Sequence, residues 1–290
     1  MHYKNAKSIL SARNGMNIYR GCSHGCIYCD SRSLCYNMQH DFEDIEVKIN
    51  DPSLLEEALK RKRNRCMIGT GSMCDPYLHL ERELELTKTC FELIDRYGFG
   101  LSVITKSDML LRDLDLLKRI NEKTKCVVQM TLTTYDEALC KIIEPNVCTT
   151  GRRVEVLRIL KENGIPTVVW LCPILPYIND TEENLKGLLG YCCEAGVRGI
   201  ICFGFGVTLR SGDREYYYKK LDEHFPGLKD KYIIEYGKAY EVRSGRNGAL
   251  MGIFRDVCRK NGILCDNKQI FDYLHTFEDK AGNDQISLFE

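Results

Sequence analysis

The sequence has no excess of either charge and no apolar run long enough to cross a membrane. Lys and Arg together number 41, as do Asp and Glu, so the chain as a whole is not a polyanion binder and any nucleic-acid surface must be local. Residues 1–7 lack the apolar core of a secretory leader. Because internal repeats and low-complexity segments are also missing, the sequence predicts a globular cytoplasmic protein.

Cysteine, by contrast, is abundant, with 16 residues in a chain of 290. Most cysteines stand singly inside apolar runs, as Cys172 and Cys202 do. This pattern is typical of reduced, buried thiols rather than of a disulfide framework. Cys258 and Cys265 have too few potential ligands nearby for a metal site, so both are predicted to be buried thiols.

Three cysteines near the start differ from the others by their spacing. Cys22, Cys26 and Cys29 form a Cys-x3-Cys-x2-Cys run, and three thiolates so close in the chain can hold one face of a [4Fe–4S] cluster. Such a cluster normally takes four cysteine ligands, so three would leave one iron open for chemistry. The alternative is a zinc site with His24 or Cys35 as the fourth ligand, although zinc motifs favour Cys-x2-Cys pairs.

Short apolar runs alternate with helical patterns along most of the chain. The runs are rich in Val, Ile and Thr and have no clean period of two, which is typical of strands buried on both faces. Helices are predicted from Asp51 onward and over 80–97, 152–163 and 180–195. The predicted strands are residues 16–19, 66–70, 101–105, 127–132, 167–171 and 199–203.

Six β–α units in series predict a parallel sheet with right-handed crossovers. We interpret the pattern as an α/β fold, a partial (β/α)6 TIM-type barrel, with a doubly wound open sheet as the alternative. The barrel is predicted over 1–210, an α-helical C-terminal extension packed beside or across it over 211–278, and a flexible polar tail over 279–290. The cysteine loop follows the first strand, so it is expected at the mouth, where barrel strands end.

Five strand ends carry polar or Gly-rich residues that suit ligand binding. The second strand runs into a Gly-rich segment containing Cys74, the third ends at Lys106, the fourth at Thr131 and the fifth at Cys172. Each residue alone is more commonly an ordinary surface or core group. Their occurrence at one predicted edge, together with the three cysteines, indicates a site.

The cysteine spacing, with Tyr28 directly before Cys29, resembles the signature of radical S-adenosylmethionine (SAM) enzymes. The resemblance implies that SAM binds the open iron of a [4Fe–4S] cluster through its amino and carboxylate groups. The cluster would then donate one electron, a C–S bond of SAM would break, and the resulting 5′-deoxyadenosyl radical would abstract hydrogen from a substrate.

A wider set of segments, within residues 15–205, resembles the spore photoproduct lyase-like group of radical SAM proteins. By this resemblance, Tyr28, Cys74, Lys106, Thr131 and Cys172 are implied to bind SAM, with Lys106 pairing the SAM carboxylate. The segments are 19–22, 66–77, 103–107, 111–117, 131–134, 144–145, 152–153 and 173–174.

Two positions within this resemblance affect its chemistry. Ser72 stands where the lyase has the cysteine that returns a hydrogen atom to the product radical, so thymine-dimer repair is not carried over. Cys74 is the candidate catalytic residue if its loop is bent differently. Arg153 matches a basic residue of the family and is expected to face phosphate or to have a structural role.

The C-terminal tail resembles the short peptides that bind the DNA polymerase sliding clamp. Gln285 would form hydrogen bonds, and Leu288 and Phe289 would fill an apolar pocket; the alternative is that they pack on the protein's own surface. Basic stretches at 60–65, at 216–220 and around Tyr240, Arg243 and Arg246 give weak support to nucleic-acid binding, because solvated or packed helices explain them equally.

The sequence therefore predicts a radical SAM enzyme that acts on DNA in repair or modification. Its expected cofactors are a [4Fe–4S] cluster and SAM, and its expected electron donor is a flavodoxin or ferredoxin. One alternative keeps the chemistry and changes the substrate to RNA or a peptide. The other is a non-catalytic iron–sulfur module docked on the sliding clamp.

Overall fold

The structure, a computed structural model, describes residues 1–280. Its strands are β1 (His2–Lys4), β2 (Gly15–Met16), β3 (Tyr19–Arg20), β4 (Glu46–Lys48), β5 (Met67–Thr70), β6 (Gly100–Thr105), β7 (Cys126–Thr131), β8 (Thr167–Trp170), β9 (Gly199–Ile201), β10 (Gly206–Thr208) and β11 (Glu241–Arg243). Its helices are α1 (Asp51–Arg61), α2 (Glu81–Leu84), α3 (Leu86–Tyr97), α4 (Leu114–Lys123), α5 (Glu137–Ile143), α6 (Thr150–Glu162), α7 (Glu182–Ala195), α8 (Asp213–His224), α9 (Leu228–Tyr236), α10 (Asn247–Lys260) and α11 (Asn267–His275). Within this part of the chain, no helix is long and apolar enough to cross a membrane.

Six parallel strands form the central sheet, and their spatial order follows the chain order. The order is β2-β5-β6-β7-β8-β9, and every neighbouring pair is parallel. This arrangement confirms the predicted partial barrel. The doubly wound alternative is wrong, because strand order in such a sheet reverses at a switch point, whereas each strand here is added beside the previous one.

Both faces of the central sheet are covered. Alternate strand residues such as Val128, Val169 and Ile200 belong to the main core, which includes the helices α3, α4, α6 and α7. The residues that face the other way form a separate cluster with α11 through Ile270 and Leu274. The C-terminal helix α11 thus packs against the face of the sheet opposite to the one that α3, α4, α6 and α7 cover.

The prediction of one first strand over residues 16–19 is wrong. Gly15–Met16 pairs with β5 in the central sheet, whereas Tyr19–Arg20 pairs with β4 in a small sheet of order β1-β4-β3. The chain passes between the sheets at Ile18, whose carbonyl accepts a hydrogen bond from the Lys48 amide at 3.3 Å. The cysteine loop consequently starts from the small sheet.

The single helix predicted over residues 80–97 is also wrong, because it breaks at Glu85. Glu85 has a φ of 47°, between α2 and α3. The buried Glu81 carboxylate accepts hydrogen bonds from the Thr87 amide, at 3.1 Å, and from the Tyr19 hydroxyl. This carboxylate caps the first turn of α3, where amides lack helical partners, and ties the helix to β3.

The C-terminal extension contains the predicted helices, α8 to α11, but also a strand that was not predicted. Strand β11 pairs with β10 in an antiparallel ribbon, with Gly206 opposite Arg243, so the pairing crosses the expected boundary at residue 210. The first two residues of the predicted tail are bonded to the barrel: Asp279 to Arg65 at 3.6 Å, and the Lys280 amide to the Lys123 carbonyl at 3.0 Å.

Candidate active site

The three closely spaced cysteines lie on the loop between β3 and the 3-10 helix Asp30–Arg32. Cys22 and Cys26 are buried and Cys29 is partly buried. At the start of the loop, Gly21 has a φ of 86°, and a Cβ there would lie 2.5 Å from the Phe42 carbonyl oxygen. That carbonyl accepts the Cys22 amide at 3.0 Å. Glycine at position 21 thus permits the close approach that fixes the first cysteine.

The end of α5 and the segment that follows it support the other side of this loop. The Ile27 amide donates to the Ile143 carbonyl at 3.0 Å, and the Asn146 amide donates to the His24 carbonyl at 3.1 Å. The Asn146 side chain also donates to the Ser23 carbonyl at 2.9 Å. Backbone bonds to a separate segment therefore fix the conformation of the loop on both sides of Cys26.

A buried polar network lies behind the loop. Glu144, directly after α5, accepts a hydrogen bond from the Tyr28 hydroxyl and is paired with Arg153 of α6. Arg153 is fully buried and donates to the carbonyls of Thr131, at 3.0 Å, and Cys148, at 2.9 Å. Arg153 is therefore structural, and the alternative that it faces phosphate is wrong, because these partners use its guanidinium inside the protein.

Lys106 is the cation that most strongly lowers the pKa of Cys26 and of Cys29. It follows β6, and its ammonium lies 5.8 Å from the centre of the Tyr28 ring. Burial alone lowers the pKa of Lys106, but the charges of Cys26 and Glu144 raise that pKa above its usual value. The ammonium therefore stays charged beside the thiols, where it can pair with an anionic ligand.

The cysteine thiols differ in acidity. The adjacent Cys74 thiol lowers the pKa of Cys22 below its usual value, because a hydrogen bond between the two favours the Cys22 thiolate. Burial raises the pKa of Cys26 and of Cys29, and Lys106 partly offsets both increases. Coordination to iron deprotonates such thiols outright. Once bound to iron, the three cysteines are thiolates, and the Lys106 ammonium beside them offsets part of their negative charge. The site therefore fits an iron–sulfur cluster.

The ligand spacing favours a cluster over a single zinc ion. Among residues 1–280, the groups of three or more His, Cys, Asp or Glu ligand atoms within 4.8 Å of one another do not include Cys22, Cys26 and Cys29. One zinc ion draws all its ligands to about 2.0–2.3 Å, whereas a cubane binds each thiolate on a different iron. His24 instead faces Asp75 at 3.5 Å, and Cys35 accepts from Arg210 at 3.3 Å.

A cavity of about 410 Å³ opens beside the cysteine loop at the carboxyl ends of the strands. The β10–β11 ribbon forms its opposite wall. Its lining residues come from three places in the chain. They are Tyr28, Cys29, Asp30, Ser31 and Tyr36 after the first cysteines, Ser72, Met73, Trp170, Cys172 and Pro173 after β5 and β8, and residues 203–208 and 241–243 from the extension.

The structure brings together part of the set predicted to bind SAM. Tyr28, Cys29 and Cys172 line the cavity. Lys106 lies next to Tyr28, and Thr131 ends the neighbouring strand β7, where Arg153 holds its carbonyl. Of the five residues predicted to bind SAM, Tyr28 and Cys172 therefore border one space together with the cluster ligand Cys29, and Lys106 and Thr131 lie at the adjacent strand ends.

Cys74 does not line the main cavity, although its thiol lies beside Cys22. Its Sγ is 2.7 Å from the Gly21 carbonyl oxygen, and it lines a second cavity of about 190 Å³ under the small sheet. Ser72, two residues earlier, lines the larger cavity instead. Met73 separates the two and contacts both cavities. The catalytic role of Cys74 stays a prediction, and in this geometry it would require the loop to rearrange.

Sequence reasoning named Arg243 but missed the aromatic residues Trp170 and Phe203 of the outer wall of the cavity. Trp170 and Phe203 lie with their ring centres 6.1 Å apart, and the Phe203 side chain is 60% exposed. Arg243 and Glu241 of β11 form an ion pair at 2.9 Å on the same wall. A signal was available in the Phe-Gly-Phe-Gly run at 203–206, because glycines next to aromatic residues after a strand let a backbone approach a ligand closely.

The basic stretches do not form a nucleic-acid surface beside the cavity. Lys60 and Arg61 pair with Glu56 and Glu57 at the end of α1, which precedes β5 and so lies at the opposite end of the sheet. In α8, Tyr217 is buried, which confirms the alternative that this helix is packed through its tyrosines. Arg243 alone among these residues reaches the cavity.

Comparison with known proteins places this geometry in a family. The model of the Radical SAM superfamily matches residues 16–189. An uncharacterized protein of Mycobacterium tuberculosis is 31% identical over 229 residues, which are 77% of this chain and 67% of that protein. An uncharacterized protein of Methanocaldococcus jannaschii is 34% identical over 180 residues, which are 61% of this chain and 66% of the relative.

A solved structure shows the same fold. The structure of spore photoproduct lyase complexed with dinucleoside spore photoproduct superimposes with a TM-score of 0.59 at 14% sequence identity. The match covers 86% of this chain and 74% of that one. It extends beyond the central sheet, so the likeness includes much of the C-terminal extension.

Proposed function

This chain belongs to the radical SAM superfamily, and from that premise we propose that it uses its [4Fe–4S] cluster and SAM to abstract a hydrogen atom from DNA, in repair or modification. The superfamily supplies the enzyme class and the two cofactors. The single observation that carries the substrate proposal is the aromatic wall of the main cavity, formed by Trp170 and Phe203 across from Cys29.

In this proposal, Cys22, Cys26 and Cys29 hold the cluster. When bound, the cluster supplies one electron for reductive cleavage of a C–S bond of SAM, and the adenosyl fragment then takes a hydrogen atom from the substrate. Lys106 would pair with the SAM carboxylate, and Tyr28, Thr131 and Cys172 would border the bound SAM. The burial of the loop excludes water and competing hydrogen donors from the reaction.

The aromatic wall suits a nucleobase. An exposed Phe203 beside Trp170 offers two ring faces, and stacking of a base on an aromatic side chain contributes roughly 1–3 kcal/mol. Arg243, on the same wall, is paired with Glu241 and would have to exchange that partner to bind a phosphate. The structural neighbour bound to a dinucleoside photoproduct supports a substrate of this class. The chain is neutral overall, so contacts would concentrate at this mouth.

An anaerobic turnover assay tests the proposal. The chain is reconstituted with iron and sulfide and supplied with SAM and dithionite, and 5′-deoxyadenosine is quantified with undamaged DNA, ultraviolet-irradiated DNA, RNA and a peptide. We expect DNA to stimulate product formation and Cys26→Ala to abolish it. If the cluster is fully loaded and reducible but no 5′-deoxyadenosine forms, the proposed catalytic activity is wrong and the chain is a binding module. If only RNA or only the peptide stimulates product formation, the proposal that the substrate is DNA is wrong.

The Phe203→Ala variant isolates the substrate wall. We expect it to raise KM for DNA while slow, substrate-free cleavage of SAM and iron content stay unchanged. Tyr3→Ala, which removes an exposed aromatic side chain of β1, is the matched control. An unchanged KM in Phe203→Ala would remove the observation on which the DNA assignment depends.

Two partners complete the proposal. A flavodoxin or ferredoxin would deliver the electron, and the sliding clamp would bind Gln285, Leu288 and Phe289, which lie outside the described residues. Support for the clamp is the sequence motif that these residues form.

Purified clamp tests this partner directly. Full chain and a Leu288→Ala/Phe289→Ala variant are compared in binding to the clamp by fluorescence anisotropy. We expect binding that the double variant loses. Equal binding by both, or none by either, would overturn the clamp proposal without affecting the turnover assay.

A further inference from the structure

A second group of potential metal ligands lies on the small sheet, away from the cysteine thiols. His2 of β1 and His40 and Asp44 of the loop before β4 each offer one ligand atom, and these atoms lie within 4.8 Å of one another. His2 Nδ1 is 2.9 Å from Asp44 Oδ2, and the two imidazole rings meet edge to face with centres 4.6 Å apart. Two imidazole nitrogens and one carboxylate oxygen are therefore close enough together to bind one metal ion.

His40 carries the second, independent observation. Its Nδ1 lies 3.0 Å from the Asp41 carbonyl oxygen, so this nitrogen carries the proton. Its Nε2 is buried and has no hydrogen-bond partner among residues 1–280. The closest acid to this nitrogen is the buried Glu46, at 3.9 Å, beyond hydrogen-bond reach. A histidine held by a carbonyl through one nitrogen, with the other nitrogen free, has the usual arrangement of a metal ligand.

We propose that His2, His40 and Asp44 bind one zinc ion, independently of the radical SAM chemistry. Two imidazoles and one carboxylate form a donor set that zinc accepts, with a fourth position left for water or a further oxygen ligand. Glu46 supplies such an oxygen nearby. Without metal, the Met1 amino group at 2.9 Å from Asp44 and the Lys4 ammonium at 3.1 Å from Glu46 balance these carboxylates.

The site would act on the loop behind the first cysteine. His40 and Asp44 bracket Phe42, whose carbonyl accepts the Cys22 amide at 3.0 Å. The Arg32 guanidinium lies 4.3 Å from the centre of the Phe42 ring and is also paired with Glu43. A zinc ion that joins β1 to this loop therefore restrains the backbone against which Cys22 is held.

Metal titration of the untagged full chain tests the site. The [4Fe–4S] cluster is reconstituted first, so that the thiols are occupied, and Zn²⁺ is then titrated in competition with a chromophoric chelator. The variants are His40→Ala and Asp44→Asn, and His224→Ala, a half-exposed histidine at the end of α8, is the matched control. The thermal unfolding temperature of each variant is measured with and without Zn²⁺.

The expected result is one zinc ion per chain in addition to the cluster iron, with a rise in unfolding temperature, for the unchanged chain and for His224→Ala. Loss of a residue that hydrogen-bonds to a metal ligand lowers metal affinity by roughly 10- to 100-fold. Because His40→Ala and Asp44→Asn each remove a ligand itself, both variants should lose at least that much zinc affinity. The Cys22→Ala/Cys26→Ala/Cys29→Ala variant should still bind one zinc ion. Zinc that disappears with the cysteines, or affinity that the two site variants leave unchanged, would overturn the proposal.

Discussion

Glu144 and Arg153 are both completely buried, and Glu144 Oε2 lies 2.6 Å from Arg153 Nη1. Burial alone raises the pKa of Glu144, but Arg153 and then Lys106 lower it below its usual value, so the carboxyl group stays ionised. The pair connects two parts of the site, because Glu144 accepts from Tyr28 in the cysteine loop and Arg153 donates to the Thr131 carbonyl at the end of β7.

Replacing Glu144 by Gln should destabilise the protein strongly. The change leaves the Arg153 guanidinium as an uncompensated buried charge, and breaking a buried pair in this way costs about 3–5 kcal/mol. Urea denaturation of the metal-free chain, followed by circular dichroism, measures the free energy of unfolding. Iron content after reconstitution should also fall, because Tyr28 loses the anionic acceptor that anchors its loop.

The control is Glu182→Gln, which breaks the exposed pair between Glu182 and Lys186 on α7. Exposed pairs contribute little to stability, so this variant should unfold at the same urea concentration as the unchanged chain. Equal effects of the two substitutions would contradict the structural role of the buried pair.

Gly21→Ala should destabilise the cysteine loop. An alanine at a φ of 86° would be strained, and its Cβ would lie 2.5 Å from the Phe42 carbonyl oxygen. Such backbone strain costs roughly 1–3 kcal/mol. The expected results are a lower urea midpoint and incomplete iron loading, since the Cys22 amide loses its place against that carbonyl.

Gly190→Ala is the matched control for this change. Gly190 lies inside α7, and a Cβ there would have no neighbouring atom within 4 Å. Alanine in a helix interior is more stable than glycine by about 1 kcal/mol, so the control should raise the urea midpoint. If both alanine variants shifted stability in the same direction, the close approach at Gly21 would not be what determines its conformation.

Local sequence pattern was enough to predict the parallel sheet and the end of the sheet at which the cysteine loop lies, but not the strand from which that loop starts. Strands buried on both faces, such as β7, leave a continuous apolar run that a single segment of sequence displays. The repeated alternation with helices then allows few topologies. The two-residue strands β2 and β3 carry no such pattern, which is why their division between two sheets was not foreseen.

The rest of the site depends on contacts between residues far apart in the sequence. The Tyr28 hydroxyl meets Glu144 across 116 positions, and the cavity wall forms only when Gly206 pairs with Arg243. Three-residue strands have no period to detect, and the role of a buried carboxylate depends on the partner that the fold brings to it. The sequence therefore identified Glu144 as part of a motif, but it did not predict that Glu144 binds Tyr28 and Arg153.

Asp51 should make stability depend on pH. Its side chain, at the start of α1, is buried, and neither carboxylate oxygen has a hydrogen-bond partner within residues 1–280. Burial raises its pKa from 3.8 to about 7, with Lys48 partly offsetting the increase. The folded state holds this proton more tightly than the unfolded state does. The contribution of protonated Asp51 to the free energy of unfolding is therefore fully present below pH 4 and is lost as the pH rises to 7.

Comparison with Asp51→Asn isolates this effect, because the amide does not titrate. Relative to the variant, the unchanged chain should lose about 1.4 kcal/mol of unfolding free energy per pH unit between pH 4 and 7, and nothing further above 7. Urea denaturation of both metal-free chains at pH 5, 6, 7 and 8 measures the difference. Parallel curves across this range would show that Asp51 ionises alike in both states.

Lys106→Gln should weaken SAM binding while the cluster is retained. The Lys106 ammonium lies beside the Tyr28 ring, and the proposal pairs it with the SAM carboxylate. Losing a hydrogen bond to a charged group costs about 1.5–3 kcal/mol, which is roughly a 10- to 150-fold loss of affinity. Equilibrium dialysis of labelled SAM against the reconstituted protein measures this change, with iron content determined on the same sample.

Lys123→Gln, which removes an exposed lysine paired with Asp95 at the end of α4, is the control and should bind SAM normally. SAM affinity and iron content together distinguish a role of Lys106 in SAM binding from a role in cluster binding. If affinity falls and iron content holds, the ammonium acts on SAM. If iron content falls as well, its main effect is on the Cys26 and Cys29 thiolates, whose charge it offsets, and its proposed contact with the SAM carboxylate would be withdrawn.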